Sequence, residues 1–401
     1  MDWWCSMRKL CIKLPPFAPD YSGVCSALYE LGGMSVIHDA SGCTGNYTGF
    51  DEPRWYDNQK LVFCSGLREL DAVLGDDEKL INKVRMAAED LKPEFITVLG
   101  SPVPMIIGSD FTGIAKEIEN MTKVPSLGFD TTGLNYYDIG ISQAYLELAK
   151  RFVKACDVKE EKTVNILGAT PLDFSINENI TDLMALLEKH GYKVNASWSM
   201  HTSFEAIQQT TKAQINIVIS VAGLELARYL EKHYQMPYIV GVPVGESGER
   251  RLIEALKVGQ KDVAEVTDEA TSETQKRVLI TGEQILSNSI RDYLKDEYQI
   301  ENVEVATFFK LDKQLACQGD IHIESELQLI KLLKADTYDV IIGDPLFKQL
   351  IPSYSKAEFI ELPHVAVSSR LYWHNSPRIM GEYMDQVMKS SPLAKSLKKD
   401  T

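Results

Sequence analysis

The chain has 401 residues, with 42 basic and 57 acidic side chains (net charge −15), 44% apolar and 25% charged content, and it exceeds what one hydrophobic core usually serves, so two or three domains are expected. The acidic balance, without any basic tract, argues against nucleic acid and anionic membrane surfaces, and no apolar run approaches the ~20 residues of a membrane span. The opening MDWWCSMRKLCIKLPPF lacks the apolar core and cleavage site of a secretion signal, and seven unevenly spaced cysteines suit thiols or metal ligands in a reducing cytoplasm better than a disulfide framework.

In chain order, VCSALYEL reads as a helix holding Cys25. A short apolar strand from Met34 to Ile37 then runs into His38, Asp39, Ala40, Ser41, Gly42 and Cys43. That places the thiol on a loop at the carboxyl end of a strand, where open α/β sheets bind ligands, with small neighbours that let the backbone crowd round whatever the thiol meets. Strands follow at LVFC (61–64), FITVLG (95–100) and SLGFD (126–130), and a helix over 76–91 carries Leu80, Ile81, Val84 and Met86 on one face.

The rhythm starts again after Lys162: TVNILGA as a strand, NENITDLMALLEKHGY as a helix ended by Gly191, then KVNASW, INIVIS and PYIVGVPVG as strands. A third round begins at Lys276 with RVLITGE, the helix SNSIRDYLKDEY, VEVATFF, DVIIGD and the closing EFIELPHVAVSS. Alternation of this kind implies an α/β protein of parallel sheets flanked by helices. The expected domains are 1–155, carrying the clustered cysteines, 156–275, including the polar connection at 259–275, and 276–401, ending in a solvated tail.

No phosphate loop, dinucleotide fingerprint, C-x-x-C, H-E-x-x-H or G-x-S-x-G occurs, so direct ATP binding is not expected and zinc and serine-hydrolase chemistry lack their usual support. Thiolates are the ordinary ligands of iron–sulfur clusters. Cys43 is the leading metal or redox candidate, followed by Cys64, Cys25 and Cys11, against the alternative that each is a small core hydrophobe; that alternative also bears on Cys25, whose helical setting could place its thiol in the core, and is preferred for Cys156 and Cys317. Gly42 and Ser65 flank the two leading thiols as cofactor-binding candidates. His38 and Asp39 read as proton donors or hydrogen bonders to the thiol loop, or as a capped strand end. Asp51, Glu52, Arg54 and Trp55 form either a docking surface or a solvated loop. His364 is a catalytic candidate or a structural histidine.

The run PDYSGVCSALYELGGMSVIHDASGC, with VFCSGLRELDAVLGDDEKL, LKPEFITVLGSPVPMIIGSDF and three α/β rounds, resembles nitrogenase component 1 and its relatives: the cofactor-assembly scaffold, dark-operative protochlorophyllide reductase and the reductive cyclase of nickel-tetrapyrrole biosynthesis. The resemblance implies three Rossmann-like domains and a homologous partner subunit. It also implies an iron–sulfur cluster of undetermined type, four-iron clusters included, near that interface, and electrons from a separate ATP-dependent iron protein. Cys43 matches the family's central cluster cysteine. The first cluster cysteine would fall near Phe17 to Pro19 and the third near Ser101 or Pro102, where no thiol stands, and Cys64 stands where relatives carry Thr or Ser. The family's large catalytic cofactor has its cysteine position at Ser220 and its histidine position near His364, and only the second matches, which argues against dinitrogen as substrate. The resulting expectation is a cytoplasmic reductase subunit acting on another small molecule, the rival being a scaffold that assembles a metal cofactor without turnover.

Overall fold

The structure is a computed structural model that describes residues 11–156, 158–258 and 276–390. The expected connection at 259–275 and almost all of the expected solvated tail lie outside the described residues.

Three parallel sheets follow the three rounds. β1 (Met34–Ile37), β2 (Val62–Cys64), β3 (Ile96–Leu99) and β4 (Ser126–Phe129) form the first, in the order β2-β1-β3-β4. β5 (Thr163–Ala169), β6 (Lys193–Ser199), β7 (Ile215–Val218) and β8 (Tyr238–Val240) form the second, in the order β6-β5-β7-β8. The third runs β11-β10-β9-β12-β13, from β9 (Val278–Thr281), β10 (Val303–Thr307), β11 (Ile321–His322), β12 (Val340–Gly343) and β13 (Glu358–Glu361). The inner strands β1, β3, β5, β7 and β12 are buried along their whole length. Helices cover both faces of such sheets, which is why these strands are apolar on both faces instead of alternating, with Ser35, Thr97, Asn165 and Asn216 among the buried polar exceptions. In each sheet the chain leaves the first strand to one side, then returns to its other side, creating a crevice at the carboxyl ends of β1 and β3, of β5 and β7, and of β9 and β12.

Several local expectations change in three dimensions. The helix Asp77–Leu91 starts where Asp76 accepts the Lys79 N–H (3.2 Å), but Met86 is 60% exposed. Two residues beyond Val84 it points to the opposite side, and Ala88 completes the buried face instead. In EFIELPHVAVSS only Glu358–Glu361 is strand; the Asp344 carboxylate accepts the His364 N–H (2.8 Å) and Val365–Ser368 turn helical behind Pro363. The two-residue β11 had no sequence signal. Cys156 and Cys317 are not core residues: the first is half-exposed, its thiol on the Val158 carbonyl, and the second is exposed.

The units interlock. The helix Glu382–Ser390 packs on the helix Gly245–Val258 of the second round, where Asp385 accepts from the Glu246 N–H (3.0 Å) and the Tyr293 hydroxyl (2.8 Å). At the other end, residues 11–19 cross to the third sheet. The buried Glu326 carboxylate collects the N–H groups of Ile12 (2.7 Å), Lys13 (2.8 Å) and Leu14 (3.2 Å), and Phe17 sits edge-on to Phe308 at 5.1 Å. Glu326→Ala should cost about 2 kcal/mol, since charge-assisted bonds are lost while part of the strap can turn to water; urea unfolding with an unchanged midpoint would contradict this.

Candidate functional site

The site grows from the carboxyl end of β1. The chain leaving the strand is held from both sides: His38 N–H donates to the Leu99 carbonyl (2.8 Å), while Ser65 and Leu67 N–H donate to Ile37 (3.0 Å) and Asp39 (2.8 Å). Asp39, 5% exposed, turns its carboxylate forward, where Oδ2 accepts the N–H groups of Cys43 (2.8 Å) and Thr44 (3.2 Å). That capping interaction starts the five-residue helix Gly42–Asn46 and sets the direction of Cys43.

Neighbouring strand ends brace the same two residues. The Ser65 hydroxyl lies 2.9 Å from His38 Nδ1 and accepts the Asp39 N–H (3.1 Å). The Cys64 thiol donates to the Asp39 carbonyl (3.2 Å) and accepts the Gly66 N–H (3.3 Å). From β3, across the crevice, the Ser101 hydroxyl donates to the His38 carbonyl (2.9 Å). Burial lowers the His38 pKa below its usual value, so the ring is neutral at pH 7.

Cys43 itself is half-buried, and burial raises its pKa; the hydroxyl of Tyr21 acts the other way, the Asp39 charge adds to the rise, and the Ser101 hydroxyl opposes it again. Around Gly42 and Gly45 there is open space, with nothing within 4 Å of where a Cβ would stand. Among the described residues nothing crowds that side of the loop.

The other thiols are dispersed. Cys64 shares Asp39 with Cys43. Cys25 is 1% exposed inside the helix Asp20–Leu28, its thiol pushed up by burial and by Glu52. Cys11 is exposed on the N-terminal strap near Glu326, beside Phe17 and Tyr136. Among the described residues, no three His, Cys, Asp or Glu side chains gather so as to hold a metal ion.

His364 belongs to a different place, at the carboxyl edge of the third sheet. Its Nε2 faces Asp173 Oδ1 (3.3 Å) and the Tyr137 hydroxyl (3.5 Å). The stretch from Asp51 to Trp55 is neither a docking surface nor a solvated loop. Asp51 and Glu52 are buried, and Arg54 pairs with both oxygens of Glu52 (2.7 and 2.8 Å), with Glu30 (3.0 Å) and with the Ser26 carbonyl (2.8 Å). A guanidinium fork satisfied on every side is a brace between elements.

Two features escaped the sequence reading. The Tyr21 and Ser101 hydroxyls lower the Cys43 pKa against its burial; the hint was that the family's third cysteine position falls near Ser101. The second is apolar surface. The helix Glu69–Leu74 buries no residue, leaving Leu70, Val73 and Leu74 more than 70% exposed, and the helix Pro102–Ile107 exposes Val103, Ile106 and Ile107. Both follow strand ends that brace the Cys43 loop, the first after β2 and the second directly after Ser101.

Buried carboxyls give the fold a pH signature. Burial raises Asp51 to about 7, Asp138 to about 6 and Glu283 to about 8. Each is protonated in the folded chain at pH values where the unfolded chain has already lost the proton. Their favourable contribution is therefore complete below about pH 4 and is lost as pH rises through the folded values. The lowered His38 works the opposite way near neutrality but is one group against three. The unfolding midpoint should drop between pH 5.5 and 8.5; a midpoint that rises over this range would contradict the assignment.

Residues 20–354 match the family profile described as nitrogenase component 1 type oxidoreductase. This chain belongs to that family. Among its relatives are the nitrogenase molybdenum-iron protein alpha chain of Clostridium pasteurianum (26% identity, covering 60% of this chain and 44% of the relative) and a light-independent protochlorophyllide reductase subunit from Dinoroseobacter shibae (24%, covering 69% and 56%). A third is the nitrogenase iron-molybdenum cofactor biosynthesis protein NifE of Methanosarcina barkeri (24%, covering 59% and 53%). This component 1 type chain thus spans about half the length of the curated relatives it matches. Its fold is that of a solved nitrogenase structure, Cp1 at pH 6.5, with a TM-score of 0.71 over 98% of this chain and 94% of that one, at 14% identity.

Proposed function

We propose that this chain is one subunit of a nitrogenase-like reductase, which with a homologous second subunit takes electrons from an ATP-dependent iron–sulfur protein and reduces a small molecule other than dinitrogen. The observation that carries this reading is the half-buried Cys43 at the switch point of the first sheet, open on its glycine side among the described residues and flanked by helices that expose apolar side chains. A thiolate cluster would find Cys43 and Cys64 on this chain and would draw its remaining ligands from the second subunit. Such a cluster supplies one-electron transfer when bound.

This chain's own residues prepare the place. Asp39 fixes the loop through two amide N–H groups, the Tyr21 and Ser101 hydroxyls lower the Cys43 pKa against its burial, and Ser65 holds the His38 ring, a proton-handling candidate beside Asp39. ATP hydrolysis belongs to the iron protein, in keeping with the missing phosphate loop. Among the described residues no helix is long and apolar enough to cross a membrane, and we place the assembly in the cytoplasm, where thiolates persist. The NifE relative keeps the scaffold reading as the rival. Anaerobic co-purification with the second subunit, then mixing with the iron protein with and without ATP, separates them. ATP-dependent reduction followed by substrate turnover is the expected result; a cluster that binds but never cycles would leave the scaffold.

A further inference from the structure

At the carboxyl ends of the second and third sheets the three units meet in a packed junction. Tyr137, which opens the helix Tyr137–Phe152 after the first sheet, donates its hydroxyl to Asp173 beyond β5 and lies 3.5 Å from His364 Nε2 beyond β13. His364 Nε2 is 3.3 Å from the same Asp173 oxygen. Phe309 closes the other face, stacked on the imidazole at 5.2 Å and edge-on to Tyr137 at 5.0 Å. All four side chains are nearly sealed from solvent.

The second position of the family's cofactor is closed as well. The Ser220 hydroxyl caps its own turn at the Ala222 N–H (3.3 Å), and the strand end packs so tightly that a Cβ on Gly168 would stand 2.8 Å from Ser220 Cβ. Glu283 of the third unit holds that turn through the Val221 N–H (2.7 Å). Three polar atoms in this region have no partner and no exposure: Asp138 Oδ1, Asp173 Oδ2 and His364 Nδ1. Each calls for a hydrogen-bonding guest the size of a water molecule. A multi-iron cofactor held by His364 Nε2 would have to displace Asp173 and Tyr137, which stand 3.3 and 3.5 Å from that nitrogen, and Phe309, which stacks on the ring.

We propose that Tyr137, Asp173 and His364 form a hydrogen-bonded lock that fills with protein the junction where a cofactor on His364 would have to sit, so that His364 ties the three units together and ligates no metal. The lock stands whether or not Cys43 holds iron, and the test keeps the two apart. The anaerobic assembly is prepared as parent, Tyr137→Phe, His364→Asn and the double variant, and iron per chain and the unfolding midpoint are measured. Each single variant should lose about 2 °C or more at unchanged iron, and the double variant should lose less than the sum, because both partners act on one carboxylate. Loss of iron from His364→Asn with the midpoint held would overturn the proposal, as would unmoved midpoints or strict additivity. Should His364→Asn fail to fold, Tyr137→Phe, which removes a single oxygen, decides on both readouts. A parent without iron would remove the Cys43 reading and leave the midpoints to judge the lock.

Discussion

Cys43→Ala should strip the iron and sulfide from the anaerobic assembly while leaving the fold of this chain in place. Iron–sulfur clusters depend on their thiolates, and among the described residues this edge offers Cys43 and its neighbour Cys64. The substitution removes one sulfur from a half-exposed loop residue with open space beside it, so its cost to folding stays within about 0.5–1 kcal/mol. Cys25→Ala behaves in the reverse manner: its thiol is packed in the core, iron is retained, and stability falls by about 1 kcal/mol with the cavity left behind. Iron and sulfide analysis beside urea unfolding separates the two. Retained iron in Cys43→Ala takes this residue out of the site.

The largest loss of stability is expected where two helices touch backbone to backbone. The helix Asp20–Leu28 crosses Tyr137–Phe152 at Gly23 and Gly140. A Cβ on Gly140 would stand 1.9 Å from the Asp20 carbonyl oxygen, and one on Gly23 would stand 2.0 Å from the Tyr137 oxygen. Neither obstacle is a flexible side-chain tip. The helices would have to part by about 1 Å along a core interface that also carries Tyr21 to the Cys43 sulfur, so Gly140→Ala should cost about 3 kcal/mol or more. Gly45→Ala, with nothing within 4 Å, is the matched control and should stay neutral or gain up to about 1 kcal/mol from helix propensity. Equal urea midpoints for the two variants would contradict the close approach.

These contrasts explain which parts of the molecule were legible in its sequence. TVNILGA predicts β5 residue for residue because a strand buried on both faces is mostly β-branched and aliphatic, its one polar side chain within the run, Asn165, being paired with Asn216 and the Thr210 carbonyl. The Met34–Cys43 turn is legible for the same reason, the apolar strand stopping at a polar, glycine-bearing loop. EFIELPHVAVSS misleads because its second half is as apolar as a strand, and the cap that turns it helical comes from Asp344, twenty residues earlier.

Long-range pairing is where local reading fails. Asp51 to Trp55 has the composition of a solvated loop, yet Arg54 finds Glu30 and the carbonyls of Ser26 and Ser199. Cys11 is drawn to the third unit by Glu326, more than three hundred residues away. Cys11 is therefore parted in the fold from the Cys43 loop, while Ser65, chosen in the sequence only for its place beside Cys64, and Ser101 become the groups that hold the His38–Asp39 backbone.

Whether the Cys43 sulfur binds iron on a face shared with a second chain is tested most directly by anomalous diffraction at the iron edge, from crystals of the anaerobic assembly. The predicted result is iron density bonded to Cys43 Sγ, with polypeptide of the second chain covering Leu70, Leu74 and Ile106. Iron-free density at that sulfur, with both helices facing solvent, would contradict it.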